Sequence, residues 1–416
     1  MSKMATRLWP PPWYPFQPAR YRSGPIGALR RVYRELYWSN IPLWKVPLTP
    51  FAAALWPLVI LATSLCRDLP RHGARAKAIS GRSYTGQLLD HLVVGLQANL
   101  WPHQYYTCEL FRPELRHRGY EYLRRIETKR ALYKLLRTDR REEDRFRDKL
   151  RFFQACQRVG VRSAPVLLAV QNGQIMFPPK TLPALPMADL FVKPLKGRGG
   201  AGAAVFRYEA GRHICGRHQV ATAAELARAL AALYGDRPVI VQPRLSPHPE
   251  LHDVALSALP TVRIVTVSNE AGHGEFVGAA FRVASNASAI IDNYHAGGLA
   301  AAVDGGTGRP GPATDMGTRS NSAWHSRHPI AGGRIKDRIL PSWPAVLRLA
   351  ETAHTLLADR VVLGWDIAIL PDGPCIIEAN SFPDLNILQR SGLQPLGNGR
   401  LGQMMLYHLR RIHPAL

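Results

Sequence analysis

The chain has 416 residues, enough for two or three domains with cores of their own. Its 46% hydrophobic and 20% charged content exclude a disordered or collagen-like polymer. The formal net charge of +24 is carried by Arg far more than by Lys and is uneven, with about 28 Lys/Arg against about 12 Asp/Glu in the stretch 1–151, roughly two thirds of the excess.

Arg and Ala are abundant throughout, so basicity alone does not point to nucleic acid, and no nucleic-acid partner is expected. A basic first third is compatible with an anionic polymer or an anionic membrane surface. Cys66, Cys108, Cys156, Cys215 and Cys375 are scattered without CxxC spacing. That pattern argues against a disulfide framework or zinc site and favours a reducing, cytoplasmic compartment. The opening WPPPWYPFQP has neither the apolar core nor the cleavage site of a secretory signal.

In chain order, residues 1–24 read as irregular and Pro25 to Trp38 as a short basic helix. Val46 to Cys66 has no charged residue and is about long enough to span a bilayer. It contains Pro47, Pro50 and Pro57 and has basic residues on both sides, so no orientation is specified. Spanning, lying on a membrane and packing against protein all remain open for it. Residues 1–82 thus form a Pro/aromatic-rich basic region, and residues 83–160, poor in Gly and Pro, read as helical.

From Val161 short apolar runs alternate with Gly/Pro turns: APVLLAV, ADLFVKPL, GAAVFRY, PVIVQPRL, PTVRIVTV and GEFVGAAFRVA. These read as strands. ATAAELARALAALYG, PAVLRLAETAHTLLAD and RLGQMMLYHLRRI read as helices, and residues 304–335 as a long Gly/Ser/Pro-rich loop. The expected fold class is α+β, with an N-terminal helical region and a sheet-based catalytic region over 161–416. That region divides into a flap part, about 161–243, and a metal and substrate part, about 244–416.

Chemistry concentrates in LGWDIAILPDGPCIIEANSF, residues 363–382, which reads as a β-hairpin. Glu378 and Asn380 are two apart and share a strand face. Asp366 joins them only if it pairs with position 378 or 380, which predicts a loop of three or five residues. That register puts Ala368, Leu370 and Ile376 on the carboxylate face and Ile367, Ile369 and Ile377 on the other. Two carboxylates and an amide oxygen suit a hard divalent cation; solvated acids at a strand end are the plainer reading.

Upstream, DLFVKPLKGRGGAGAAVF delivers Lys193 on a strand and then Lys196, Gly197, Arg198, Gly199, Gly200 and Gly202 in a loop. Glycines let backbone N–H groups approach phosphate, and lysine supplies a compact charge. The loop joins strand to strand, so neither a P-loop nor a dinucleotide fingerprint fits. Gln242 and Pro243 end an apolar strand whose exposed backbone can pair with an adenine edge or simply mark a sheet edge. Arg263 and Arg282 sit within apolar strands and need anionic partners, internal or bound. Asn293 precedes Gly297 and Gly298.

The ordered set resembles the ATP-grasp fold, and within it the sugar-transfer-associated ATP-grasp family, related to glutamate-ligase-like enzymes. It runs strand-Lys-Pro, Gly flap, VIVQ, two strand arginines, DN…GG and WDI…IIEAN. The resemblance covers about residues 83–410, including Tyr105, Tyr106 and the HPIAGG segment from His328. It implies Lys149 and Lys193 as ATP-phosphate lysines, residues 196–202 as the flap, and Gln242 at the adenine hinge, where Glu is common. It implies Asp366, Glu378 and Asn380 as Mg2+ ligands, and Arg263, Arg282 and Asn293 as groups holding the acyl phosphate and γ-phosphate.

The implied activity is an ATP- and magnesium-dependent carboxylate-amine ligase acting through an acyl phosphate. Its substrate would be a small-molecule carboxylate or a sugar-linked compound in cell-surface polysaccharide assembly. A kinase acting on a sugar or lipid-linked hydroxyl and a non-catalytic basic adaptor at the membrane are the alternatives. The oligomeric state is not legible.

Overall fold

In the computed structural model the described residues are 24–40, 42–137, 146–178, 184–197, 202–287, 294, 297–357 and 360–414. They form two compact units. One comprises Met1–Thr138, Thr314–Trp324 and Asp384–Leu416, and the other Asp139–Ala313 and His325–Pro383.

The first unit is helical. Pro25–Asn40 packs on Arg400–Ile412, and Thr49–Thr63 packs on Tyr84–Ala98. Thr49–Thr63 runs on through a π-helical turn at Ser64–Asp68 into Leu69–Ser80, which stops at Gly81 with φ 70°. The whole run Thr49–Ser80 is 32 residues, long and apolar enough by length and composition to cross a membrane. Ser83 caps the next helix by accepting from the Gly86 N–H, and Asn99 ends it in the left-handed region. This unit buries charge in pairs. Arg30 and Arg124 both donate to Glu127, and Glu109 is fully buried among Arg75, Arg112 and Arg390.

The second unit carries two antiparallel sheets, the divide between the units falling inside two terminal two-residue strands, Ala313–Thr314 and Trp324–His325. The first is built from β1 (Leu168–Gln171), β2 (Gln174–Phe177), β3 (Leu190–Pro194), β4 (Ala204–Glu209), β5 (Arg212–Cys215), β6 (His218–Val220) and β7 (Val239–Pro243). Its order is β2-β1-β7-β3-β4-β5-β6. The β1–β2 turn places Asn172 and Gly173 at φ 51° and 73°, the positive pair that a tight two-residue hairpin requires. Helix Ala223–Tyr234, opened by a Thr222/Glu225 capping box, lays Leu226, Ala227 and Leu230 on Leu190, Val192, Val239 and Val241.

The second sheet is built from β8 (Thr261–Ser268), β9 (Gly274–Val283), β10 (Leu299–Val303), β11 (Ala313–Thr314), β12 (Trp324–His325), β13 (Val362–Leu370) and β14 (Gly373–Asn380). Its order is β12-β11-β10-β9-β8-β13-β14. Helix Trp343–Leu357 covers it with Trp343, Val346, Ala350, Ala353 and Leu357, an i, i+3, i+4 stripe. The short strands β11 and β12 interrupt the stretch 304–335 that reads as loop.

Helix Lys149–Arg158 serves both sheets. Phe152 belongs to the core of the second and Phe153 to an apolar cluster on the first. Asp148 caps this helix, accepting from the Leu150 and Arg151 N–H groups. The same residue forms a β-bridge with Lys196, and Lys149 N–H donates to Leu195 C=O at 3.3 Å. The helix N-terminus is thereby fastened to the end of β3.

Candidate active site

Alternation along β3 explains how lysine reaches a buried place. Leu190 and Val192 face the helix-covered core, so Lys193 faces the opposite side with Phe191 and Leu195. Lys193 is 8% exposed, and desolvation pushes its pKa down from 10.5 to about 8, against an opposing pull from Glu378. Lys149, at the first position of its helix, is likewise lowered by burial and supported by Glu378. The two ammonium groups and one carboxylate line the same narrow cleft, open to solvent, with Ser163, Ala164, Gln242, Ile376 and Ile377.

The hairpin corrects the loop expectation. Leu370 pairs with Gly373, so the turn has two residues, Pro371 and Asp372, and not three or five. An even loop would normally set Asp366 on the wrong face. A β-bulge repairs this: Ile367 pairs with Ile376 and Asp366 with Glu378, leaving Ile377 as the extra residue. Gly364 pairs with Asn380, so the register still places Asp366, Glu378 and Asn380 on one face. The apolar assignment reverses for two residues. Ile376 joins the main core with Ile367 and Ile369, while Ile377 packs with Ala368, Leu370 and Cys375. A bulge is invisible to period-two reasoning because it changes the period itself.

Across the strands, Arg263, Asp366 and Glu378 stand in register on β8, β13 and β14. Arg263 donates through Nε and Nη2 to both oxygens of Asp366, the second bond at 2.9 Å, and Arg282 Nη1 adds a bond at 3.3 Å. Burial alone would raise the Asp366 pKa; the two guanidinium groups outweigh it and hold it below the usual value. The two strand arginines are thus engaged with an internal carboxylate. Among the described residues Glu378, by contrast, makes no hydrogen bond, and the buried Nδ2 of Asn380 finds no partner. Gly364 leaves room for this face: a Cβ there would meet Pro383 Cβ at 2.8 Å.

The remaining residues singled out from the sequence fall as follows. Gln242 is buried, and its Nε2 donates to the carbonyls of Ala164 and Pro165, both at 3.1 Å. Its amide group pins β7 to the segment before β1. Lys196 lies in the bridge to Asp148, and Gly202 adopts φ 78°. Gly199, Gly200 and Asn293 lie outside the described residues. Tyr105 and Tyr106 donate to Asp90 and Gln87 within the helical unit, and His328 secures its own turn by accepting from Ile330 and Ala331 N–H.

The sequence reading missed Arg237. A Cβ built on Gly202 would meet its Nη1 at 3.4 Å, and its charge lowers the Lys149 pKa. It is exposed and has no ion pair among the described residues. Nothing local marks it. Asp148 was missed as well, although an Asp directly before the run KLRFFQAC is a helix N-cap signal.

An all-oxygen set on one face, one of its carboxylates without a hydrogen bond and its amide incomplete, has the chemistry of a site for a hard cation with phosphate. The amide's oxygen and nitrogen are interchangeable by a flip, so either a cation or an anionic oxygen completes it. No group of three or more His, Cys, Asp or Glu able to hold a metal exists among the described residues, so Asn380 and ligand oxygens would have to complete a shell.

Residues 128–398 match the sugar-transfer associated ATP-grasp family. The match spans more than half of the chain, which belongs to that family and has its α+β fold, with a helical region at the N-terminal side. Among solved structures the chain is similar to D-cycloserine synthetase, at 15% identity and TM-score 0.35, over 64% of this chain and 71% of that one. It is also similar to a D-alanine–D-alanine ligase from Bacillus anthracis, at 12% identity and TM-score 0.36, over 65% and 69%. A third is D-alanyl-alanine synthetase A from Vibrio cholerae O1 biovar eltor, at 13% identity and TM-score 0.36, over 64% and 65%. No curated protein matches the chain.

Proposed function

We propose that the protein is an ATP- and magnesium-dependent ligase joining a carboxylate, on a small molecule or a sugar-linked compound, to an amine or related nucleophile. The observation that carries this reading is the buried Lys193 and half-buried Lys149 lining one cleft with Glu378, beside a carboxylate already neutralised by two arginines. Two desolvated ammonium groups with a single carboxylate between them leave a surplus of positive charge, which a triphosphate would match. Arg237 beside Gly202 extends that charge along the flap.

Glu378 and Asn380, with Asp366, would hold magnesium; the ion, when bound, neutralises phosphate charge. Lys149 and Lys193 hold the triphosphate, and the flap amides add donors. Burial makes each of these charges count for more than it would in water. Arg263 and Arg282 orient Asp366 and would stabilise the phosphoryl group in transfer. The protein's work is to position and to neutralise charge while the substrate carboxylate takes the γ-phosphoryl group from ATP, releasing ADP, and the amine then attacks the acyl carbon, expelling inorganic phosphate and losing its proton. A role in polysaccharide assembly is suggested by the family's name alone.

The test is an ATP-turnover screen of the purified protein against amino acids, amino sugars and uronic acids, with hydroxylamine present to trap an acyl phosphate. Carboxylate-dependent release of phosphate with hydroxamate formation supports the ligase. A stable phosphorylated product without free phosphate assigns a kinase instead. Absence of magnesium-dependent ATP binding by titration sinks both and leaves the adaptor.

A further inference from the structure

We infer that the exposed face of Thr49–Thr63, together with the turn Leu43–Lys45, docks on an anionic lipid bilayer, lying in its surface and not crossing it. Thr49, Trp56, Ile60 and Ser64 are buried, and the same spacing continues through Asp68, His72 and Ala76. Trp56 Nε1 donates to Gly95 C=O at 3.0 Å, and Gly95 lacks a side chain where Ile60 packs. One stripe of the helical run is therefore committed to the protein's own bundle.

The other face is apolar, and no described residue covers it. Leu43 is 87% exposed, Phe51 69%, Leu58 60%, Leu55 55% and Leu65 53%. Single exposed apolar residues are ordinary; five large ones along one short segment are not. Trp44 stands at its edge, 56% exposed, with the Lys45 ammonium 5.1 Å from its ring centroid. An indole beside a cation suits the headgroup layer.

Charge selects lipid over a protein partner. From Ser39 to Ser83 the only acidic residue is Asp68, buried and ion-paired with Arg67 at 2.9 Å. Arg71 and Lys77 are exposed. The exposed residues of Thr49–Thr63 are almost entirely apolar, so the face offers little hydrogen-bonding detail for a protein to read but has a basic border complementary to anionic headgroups. The same residues argue against a span. The second half of the run buries Asp68 and His72 in the bundle and exposes Arg71 and Lys77, a pattern foreign to a hydrocarbon core.

The test is cosedimentation of the full-length protein with phosphatidylcholine vesicles, with and without phosphatidylglycerol. The wild type should bind the anionic vesicles. Leu55→Glu/Leu58→Glu should reduce binding about tenfold, and Arg71→Glu/Lys77→Glu a few-fold on anionic vesicles only. Both should keep wild-type ATP turnover and circular dichroism; if the first misfolds, Phe51→Ser replaces it. Wild-type protein left in the supernatant, or undiminished binding by the leucine variant, overturns the inference. So does a wild type that self-associates without lipid while the leucine variant stays monomeric, because the face then joins copies of the chain. Retention of cell-expressed protein in membranes through high salt and alkaline carbonate would overturn it in favour of a span.

Discussion

Each unit buries a carboxylate against arginines, and the two clusters are finished differently. Glu109 is fully buried and bonded by Arg75 and Arg112 at 2.5 Å each, Arg390 at 2.8 Å and the Trp324 indole at 3.0 Å, with Arg390 stacked on the same Trp324 ring. Burial alone would raise its pKa; Arg390, Arg112 and Arg75 instead hold it at about 2. Nothing in that cluster asks for a ligand. In the second unit Asp366 is similarly clothed, but among the described residues its neighbour Glu378 accepts no hydrogen bond and interacts by charge with Lys149 and Lys193, and the Asn380 amide is incomplete. A saturated network holds a fold, whereas an unsaturated one with surplus charge retains binding energy for something else.

The comparison can be broken most directly at the unsaturated cluster. Glu378→Gln and Lys193→Met should each lower ATP turnover by a factor of ~10³ or more with the thermal midpoint unharmed. Near-wild-type turnover in either would show that the cleft is not the site.

At the saturated cluster the effect should be on stability. Glu109→Gln leaves the buried Arg390 and the half-buried Arg75 and Arg112 without their carboxylate, a loss of ~3–5 kcal/mol in denaturant titration. The wild type should also lose the Glu109 contribution as pH falls from 4.5 towards 2, because the unfolded carboxylate then binds the proton first. The Glu109→Gln variant, with a neutral amide that does not titrate, should lack this acid-sensitive component and is the control.

Lys193 gives the opposite sign. Its folded pKa of about 8 lies below the unfolded 10.5, so the unfolded chain binds more protons between those values. Stability therefore rises with pH across that window, and below it the buried charge costs about 3 kcal/mol. Lys193→Met should be more stable than wild type at pH 7 and lose that advantage by about pH 10.5, read by chemical denaturation. A pH-independent difference would mean that the lysine is not desolvated.

The smallest effect is expected at Gly364. Ala there collides with Pro383 Cβ at 2.8 Å and should cost ~1–3 kcal/mol, with loss of turnover beyond what the stability change explains. An unchanged midpoint and turnover would show that the Asn380 edge tolerates displacement.

Much of this arrangement could be read before folding was considered. Period-two alternation places Lys193 opposite Leu190 and Val192 and sets Glu378 beside Asn380. Three-to-four spacing marks the helices Ala223–Tyr234, Trp343–Leu357 and Arg400–Ile412. These are local properties of the backbone, written wherever apolar residues recur at the right interval.

Only the tertiary structure decided which strands meet and in what register. It supplied the bulge at Ile377 that rescues a two-residue hairpin, and the row of Arg263, Asp366 and Glu378. It engaged Gln242 with Ala164 and Pro165 carbonyls and brought Arg237 to Gly202. It also divided the apolar run after Thr49 into a stripe against Gly95 and a face left open. Each of these joins residues far apart along the chain. Such pairings are selected by packing and by the partners that buried charges find, and no local interval encodes them.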